Sequence, residues 1–416
     1  MALSTSSWLR NLSVDIKRYY LSSMCMWGAV GIWSLLLNLY FVSMGMDAAF
    51  IGLYSTLAAV ASMTCSLPAG ILADRIGRKR AMLIGFVGMA STYLGVSLAH
   101  SRATIILAGM LFGILGPFFY ISAAPFLTQE SEPHDRVRLF TLDSIVANLV
   151  LFVSSIVGGS LPNLYSGLLG VGAESPQAYR GALLTAAAVM ALGIVPLLGL
   201  SEKGSGAGSH TRVGAACAIR DRFSNPRLLL KLVMPMILIA VGSGFVVPFM
   251  NLFMKDRFGV TDATLGWVFG LTSVVSAIIV LLGLPVAERR GNVPITLASR
   301  ALSVPLLLVV GYAPYFPVVI VAYWLRTGLM NLAGPLYLAF AMEQLSESQR
   351  AIGSSLLSMC WDLGWAVGPF FSGRLQLSSG FGLVFNIASA LCAVGTISLW
   401  WFFTDRRSPA RAAPLT

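Results

Sequence analysis

Twelve apolar runs of about 20 residues or more, joined by short polar loops, constrain this chain more than any other feature. A helix needs about 20 apolar residues to cross the hydrocarbon core of a bilayer, so each run is long enough for one crossing. Only 11% of the 416 residues are charged and 56% are hydrophobic, whereas about 25% of a typical soluble domain is charged. The runs lie at about 21–44, 49–73, 80–99, 103–127, 138–162, 180–200, 228–253, 263–285, 294–312, 315–341, 351–373 and 380–403. We therefore predict an all-α membrane protein with twelve transmembrane helices.

The basic residues concentrate in alternate loops. When the loop around Arg75 is placed in the cytoplasm, 22 of the 28 Lys and Arg residues fall in cytoplasmic segments, five on the opposite side, and Arg326 inside a predicted helix. The cytoplasmic count includes Arg300, near the start of the ninth run. This asymmetry follows the positive-inside rule, so the net charge of +11 reflects topology and indicates no nucleic-acid partner. We expect a multi-pass protein of the cell (inner) membrane with both termini in the cytoplasm.

The two parts of the chain repeat at one constant offset in the numbering, which we call the repeat offset. The matched positions are Asp74-Arg75-x-Gly77 with Glu288-Arg289-x-Gly291, Gly45 with Gly259, Gly52 with Gly266, and Arg136 with Arg350. A constant offset across six predicted helices indicates two structurally equivalent halves, related by an axis along the membrane normal. We predict a six-helix N-terminal half over residues 1–200, a cytoplasmic linker over 201–227 and a six-helix C-terminal half over 228–416.

A charge cluster punctuated by glycines, GILADRIGRKR over residues 70–80, joins the second and third runs. Glycines permit a tight turn, Asp74 can face the positive N-terminal end of a neighbouring helix, and the basic residues face the cytoplasm. The cluster matches the motif G-x(3)-D-[RK]-x-G-[RK]-[RK], and in this the chain resembles the major facilitator superfamily of transporters. The resemblance implies two six-helix halves and a gating loop. The gating positions would be Gly70, Asp74, Arg75, Gly77, Arg78 and Lys79, with Glu288, Arg289 and Gly291 in the second half.

Arg326 and Asp362 are ionisable residues near the centres of predicted helices 10 and 11. A charge at the bilayer centre costs at least ~2.5–3.5 kcal/mol on insertion scales, so each needs a partner, water or a function. The family resemblance implies that helix 10 lines a central cavity and helix 11 lies beside it. Two interpretations remain open: a substrate or coupling pair, or a salt bridge that only stabilises the C-terminal half.

Four further polar residues are candidates for substrate binding or coupling. Asp143 lies in the first turns of predicted helix 5, and Asn148 lies about a turn deeper. An alternative for Asp143 is that it only contacts cytoplasmic water. Asn38 and Asn251 lie near the outer ends of predicted helices 1 and 7.

Prolines mark candidate helix bends, because proline removes a backbone donor. Pro117 and Pro335 occupy related places in predicted helices 4 and 10, and helix 11 carries Gly368-Pro369. These bends could serve gating or static packing.

The sequence contains no G-x(4)-G-K-[ST] phosphate loop and no H-E-x-x-H zinc motif. We therefore predict that the protein is not an enzyme and needs no cofactor or metal. We favour a monomeric secondary transporter that moves a small solute by alternating access, as an ion-coupled efflux antiporter with the proton as a candidate coupling ion. Alternatives are an uptake symporter or a lipid flippase and, from another class, a non-transporting membrane sensor or scaffold.

Overall fold

The computed structural model describes residues 12–132, 134–201 and 226–404. In these ranges eleven helical stretches are long and apolar enough to cross a membrane. The last, Ile352–Phe403, has 52 residues, or about 78 Å at 1.5 Å per residue, more than twice the hydrocarbon thickness of roughly 30 Å. It is interrupted at Gly380, whose φ of 67° and ψ of −169° are not helical. This stretch supplies two crossings, so the prediction of an all-α membrane protein with twelve membrane helices is confirmed.

We number the membrane helices α1 to α12 in chain order. Helices α1 to α6 are Val14–Ser43, Ala48–Ile76, Arg78–Leu98, Arg102–Gln129, Arg136–Leu169 and Pro176–Leu192, the last continuing after Gly193 as Ile194–Leu198. Helix α7 comprises Pro226–Val246, the single turn Val247–Phe249 and Met250–Phe258. Helices α8 to α10 are Asp262–Arg290, Asn292–Tyr312 and Phe316–Gln344. The stretch Glu347–Thr404 contains α11 before Gly380 and α12 after it.

Polar side chains and glycines set the ends of these helices. Asp47 precedes α2 and its carboxylate accepts a hydrogen bond of 2.8 Å from the backbone N–H of Phe50. Ser13 caps α1 in the same way, at 3.2 Å from the N–H of Ile16. Such caps satisfy an otherwise unpaired donor and contribute about 1 kcal/mol each. At the other end of a helix, Gly170 terminates α5 in the left-handed conformation, with a φ of 68°.

The repeat offset recurs in the helices themselves. Helices α2 and α8 both have 29 residues, and α3 and α9 both have 21. The first residues of α8, α9 and α10 follow those of α2, α3 and α4 at the same offset that separates Asp74 from Glu288. The matched turns also share their backbone conformation: Gly77 has φ 95° and ψ 151°, and Gly291 has φ 94° and ψ 154°. Residues with a side chain rarely adopt such angles. The structure therefore supports the predicted internal repeat.

The chain forms two compact units, residues 1–210 with 249–274, and residues 211–248 with 275–416. The first unit holds α1 to α6, the end of α7 and the start of α8. The second holds the rest of α7 and α8 together with α9 to α12. Most of the predicted linker lies outside the described residues, and the boundaries 1–200, 201–227 and 228–416 stay a prediction.

In the first unit, α1 packs against α5 and α6, α2 packs against α4, and α3 packs against α4 and α6. Helix α5 also crosses the start of α8, where two glycines face each other. A Cβ atom added to Gly159 would lie 3.0 Å from the Cα of Gly266, and one added to Gly266 would lie 3.1 Å from the Cα of Gly159. Only glycine allows backbones to approach this closely.

In the second unit, α7 packs against α11 and α12, and α9 packs against α10 and α12. The contact between α7 and α11 again uses small residues. A Cβ atom on Gly368 would lie 2.7 Å from the Cα of Gly244, and one on Gly364 would lie 2.7 Å from the Cβ of Ala240. The glycines before Pro369 therefore serve close helix packing here.

The glycine contact between α5 and α8 gives a first prediction. Gly159→Val should lower the free energy of unfolding by about 1–3 kcal/mol, because the added atoms overlap the α8 backbone. The measurement is the thermal unfolding midpoint of the purified protein. Gly167→Val is the matched control, since this glycine lies on the same helix and an added Cβ would meet no atom within 4 Å. Equal midpoints for the two variants would contradict the close contact.

Candidate functional site

The turn between α2 and α3 carries the predicted gating residues. Gly77 supplies the positive φ that reverses the chain, and Asp74 forms an ion pair of 2.6 Å with Arg78, one turn later. The Asp74 side chain is 64% exposed, so solvent screens this pair. Arg75 is also exposed, and Lys79 is half-buried. The structure thus shows a solvent-facing turn, and its gating role stays a prediction.

The same turn borders an open cavity of about 420 Å³ between α2 and α4. Gly70 and Asp74 on α2 and Arg78 at the start of α3 line one side of the cavity. Ile121 and Pro125 on α4 line the other side. The matching turn between α8 and α9 has the same glycine conformation at Gly291, with Glu288 and Arg289 exposed.

A network of four polar residues in the first unit joins α6 to the junction of α7 and α8. Lys255 Nζ lies 2.6 Å from Asp262 Oδ1 and 3.0 Å from Glu174 Oε1. It also donates a hydrogen bond of 2.8 Å to the hydroxyl of Tyr179, which donates one of 2.8 Å to Asp262 Oδ2. We call Glu174, Tyr179, Lys255 and Asp262 the Lys255 network. The sequence candidates do not include any of its members.

The Lys255 network is a protected set of charges. The side chain of Asp262 is 7% exposed and that of Lys255 is 17% exposed, while Glu174 is open to solvent. Short charge-assisted hydrogen bonds at low dielectric are the strong ones. Tyr179 on α6 and Glu174 in the turn before α6 bond to residues that are distant in the sequence, so the network holds the start of α8 against α6.

Asn38 and Asn251, two of the sequence candidates for substrate binding, meet in the same unit. Asn38 Nδ2 donates to Asn251 Oδ1 at 3.4 Å, and Asn251 Nδ2 donates to the carbonyl of Leu35 at 2.8 Å. Asn251 is buried. These bonds tie α1 to the end of α7, so the structure gives both asparagines a helix-joining contact, and their role in substrate binding stays a prediction.

Asp143 lies two turns into α5, beside the hydroxyl groups of Tyr19 and Ser23 on α1. Its Oδ1 atom is buried without a hydrogen-bond partner, and among the described residues no basic side chain pairs with it. Asn148 is exposed and donates to the carbonyl of Ser144 at 2.8 Å, one turn back on its own helix. Of these two candidates, only Asp143 is a partly buried ionisable group in contact with another helix.

Arg326 and Asp362 form no ion pair with each other in the part of the chain that the structure describes. Arg326 is 3% exposed, and its guanidinium lies within hydrogen-bonding reach of Cys392 on α12. Asp362 is half-buried on α11. Their shared role in substrate binding or coupling therefore has no direct contact to support it, and each residue stays a separate candidate.

Arg300 corrects one assignment made from the sequence. The charge pattern counts it among the cytoplasmic residues, but it lies within α9 and is only 2% exposed. Its Cζ atom lies over the ring of Tyr337, 4.4 Å from the centroid, and Nη2 lies 3.7 Å from the sulfur of Met236. Proximity to the charged loop at Arg289 and Arg290 conceals this buried residue in the sequence.

The predicted bend residues lie inside uninterrupted helices. Pro117 is within α4, Pro335 is within α10, and Pro369 follows Gly368 in α11. The helical assignment continues on both sides of each proline, so whether the helices bend for gating stays a prediction.

The helices, the turn at residues 70–80 and the buried charges together define a multi-pass membrane protein built from a duplicated six-helix unit. A family model, the Major Facilitator Superfamily, matches residues 19–247 and 234–416. The chain therefore belongs to the Major Facilitator Superfamily, whose members carry small-molecule solutes across membranes and are not in general enzymes.

The relatives and solved structures agree with this assignment. The chain is 26% identical over 354 residues to "Multidrug resistance protein MdtG" of Proteus mirabilis, covering 82% of each protein. It is 24% identical over 351 residues to the protein of that name from Escherichia fergusonii, covering 82% of this chain and 81% of the relative. The nucleoside transporter NupG superposes with a TM-score of 0.77 at 17% identity, over 94% of this chain and 100% of the mutant NupG chain compared. A bacterial homologue of the human lysosomal transporter Spinster gives 0.73 at 16% identity, over 95% of this chain and 98% of the other. At such identities the structures show the fold alone.

The Lys255 network predicts a local effect of removing one charge. Asp262→Asn should weaken the contact between α6 and α8 by about 1.5–3 kcal/mol, because it removes the charged acceptor for two hydrogen bonds. Hydrogen–deuterium exchange of the segment 250–265 should then become faster. Asp256→Asn is the control, since Asp256 is exposed in the same segment. Identical exchange in the two variants would show that the network does not hold this segment.

The exposed ion pair between Asp74 and Arg78 predicts that removing the charge of Asp74 changes the stability of the protein little. Asp74→Asn should change the free energy of unfolding by less than about 1 kcal/mol, because exposed pairs contribute little. Thermal unfolding of the purified variant measures this. A loss of several kcal/mol would mean that Asp74 makes a buried contact that the structure does not show.

Proposed function

We propose that this protein is a secondary active transporter of the inner membrane that couples proton entry to the efflux of a small amphipathic solute. The observation that carries the proposal is Asp143. It is a partly buried carboxyl group in a membrane helix, beside two hydroxyl groups and with no basic partner among the described residues. Such a group can take up and release a proton without having to break an ion pair.

The direction of transport is inferred from the relatives. The MdtG proteins are named as multidrug resistance proteins, and the chain matches them over most of their length. Resistance of this kind requires that solutes leave the cell, and amphipathic molecules reach a membrane protein readily from the bilayer. We extend this direction and this solute class to the present chain.

Alternating access requires contacts that break and re-form at both membrane faces. The turn at residues 70–80 and the Lys255 network are candidates for such contacts. Helix α8 connects the two ends, because it begins at Asp262 of the network and ends at Arg290, next to the turn at Gly291 that matches the turn at Gly77. With both termini in the cytoplasm, the turn would face the cytoplasm and the Lys255 network would face the opposite side. The network would then be intact when the protein is closed on that opposite side.

Inside-out membrane vesicles from cells expressing the protein provide the test. Ethidium, an amphipathic cation, and carboxyfluorescein, an amphipathic anion, serve as the probes, and respiration imposes the proton gradient. We expect accumulation of at least one probe inside the vesicles only when the gradient is present. Asp143→Asn should reduce this accumulation at least tenfold, because the side chain can no longer bind a proton.

Two variants act as controls in the same assay. Asp256→Asn removes an exposed carboxylate and should transport like the unmodified protein. Asp362→Asn tests the other candidate coupling residue. Coupling is assigned to Asp143 only if Asp143→Asn loses gradient-driven accumulation and Asp362→Asn keeps it. Full gradient-driven accumulation in Asp143→Asn would contradict its role. Probe loss from energised inside-out vesicles would instead indicate uptake into cells and overturn efflux.

A further inference from the structure

Two buried arginines in the second unit lack an acidic partner. Arg300 on α9 and Arg326 on α10 are 2% and 3% exposed, and neither forms an ion pair with a carboxylate in the described residues. Both lie close to Cys392 on α12. Arginine stays protonated inside proteins, so this part of the bundle encloses two positive charges around one thiol.

The hydrogen-bonding groups of this cluster are incompletely satisfied. Arg300 Nε and Nη1 and Arg326 Nε are buried donors without a partner. The Cζ atom of Arg300 lies over the Tyr337 ring, 4.4 Å from its centroid, and this cation–π contact gives the two unpaired N–H groups of Arg300 no oxygen acceptor. The sulfur atoms of Met236 and Cys392 are the nearby acceptors, and sulfur accepts hydrogen bonds weakly.

Two buried hydroxyl groups on α9 and α12 are also unpaired. Thr296 Oγ1 lies one turn before Arg300 on the same face of α9, and Ser389 Oγ lies one turn before Cys392 on α12. Both residues are buried. Unpaired buried polar groups in a native structure commonly mark the place of a bound ion or water. Here α9, α10 and α12 each carry a buried donor without a partner, and both arginines lie close to Cys392 on α12.

The repeat shows that the fold does not require arginine at these positions. At the repeat offset, Arg300 corresponds to Phe86 and Arg326 corresponds to Phe112. Phe86 is fully buried and packs edge-on against Phe119, and Phe112 stacks on Tyr93. Apolar rings therefore fill the equivalent places of the first unit. A purely structural role would be met by the same side chains in the second unit, so the two guanidinium groups call for a different explanation.

We propose that the cluster formed by Arg300, Arg326, Thr296, Ser389 and Cys392 binds a small inorganic monovalent anion of the halide class. A halide accepts hydrogen bonds from several directions and compensates buried positive charge, which is what these donors lack. It is also small enough for a closely packed bundle. This site is separate from the proposed proton site at Asp143, and the proposal does not depend on the coupling role of that residue.

Thermal unfolding in defined salts tests the site without any transport assay. The protein is purified in sodium gluconate and then titrated with sodium bromide or chloride at constant ionic strength, because gluconate is too large for the cluster. We expect the unfolding midpoint to rise by about 3–10 °C at saturating halide. Bromide also scatters anomalously, and its peak should lie between the two guanidinium groups in a crystal of the unmodified protein.

Variants separate a specific site from a general salt effect. The double variant Arg300→Met/Arg326→Met should fold without halide and show no halide-dependent shift, since apolar side chains replace both charges. Arg374→Met is the matched control, because Arg374 is exposed on α11 in the same unit. It should keep the full shift.

Each contrary result would overturn the proposal. The first is an equal midpoint in gluconate and halide for the unmodified protein, and the second is a halide shift that persists in the double variant. The third is a water molecule in place of the bromide peak. If the double variant does not fold, the bromide position in the unmodified protein decides the question by itself.

Discussion

A charged group inside a membrane bundle must be compensated, and this constraint governs how both units are built. The first unit does so directly, because Lys255 and Asp262 lie 2.6 Å apart and Tyr179 bonds to both. Removing the charge of Asp262 takes away the charged acceptor of two hydrogen bonds, which costs about 1.5–3 kcal/mol. A contact of this kind is stable while it is closed and strongly resists partial opening. The Lys255 network therefore suits a switch between two states better than a gradual movement.

The charges can meet only because the helices approach closely at small residues. Gly159 on α5 and Gly266 on α8 bring the two backbones into contact near Asp262. In the second unit, Gly244 and Gly368 do the same for α7 and α11. Lipid gives helices little hydrophobic reason to associate, so van der Waals contact between such surfaces and interhelical hydrogen bonds provide the attraction. The glycines thus determine where the helices cross, and the polar residues beside each crossing determine what it can do.

Local sequence patterns predict the features that arise within short segments and miss those that depend on distant contacts. Twelve crossings follow from the length of the apolar runs, and the turn at Gly77 follows from its glycine, since both are properties of short segments. Lys255 and Asp262 lie at the ends of apolar runs, where any charge resembles a loop residue, and Tyr179 precedes them on a different helix. No pattern in the sequence indicates that contact. Arg300 is misplaced for a related reason, because its charged neighbours in sequence are exposed arginines, although its neighbours in space are Tyr337 and Met236.

The internal repeat separates what the fold needs from what the function adds. Positions that shape the backbone are shared, since Gly77 and Gly291 have nearly the same φ and ψ. Positions that carry buried charge are not shared: Asp262 corresponds to Ala48, and Arg326 corresponds to Phe112. A duplicated scaffold can exist without these charges, as its first copy shows, and each buried charge opposes folding unless it is compensated. Charges retained in only one copy are therefore best explained by binding or by switching, and this argument applies equally to the Lys255 network and to the arginine cluster.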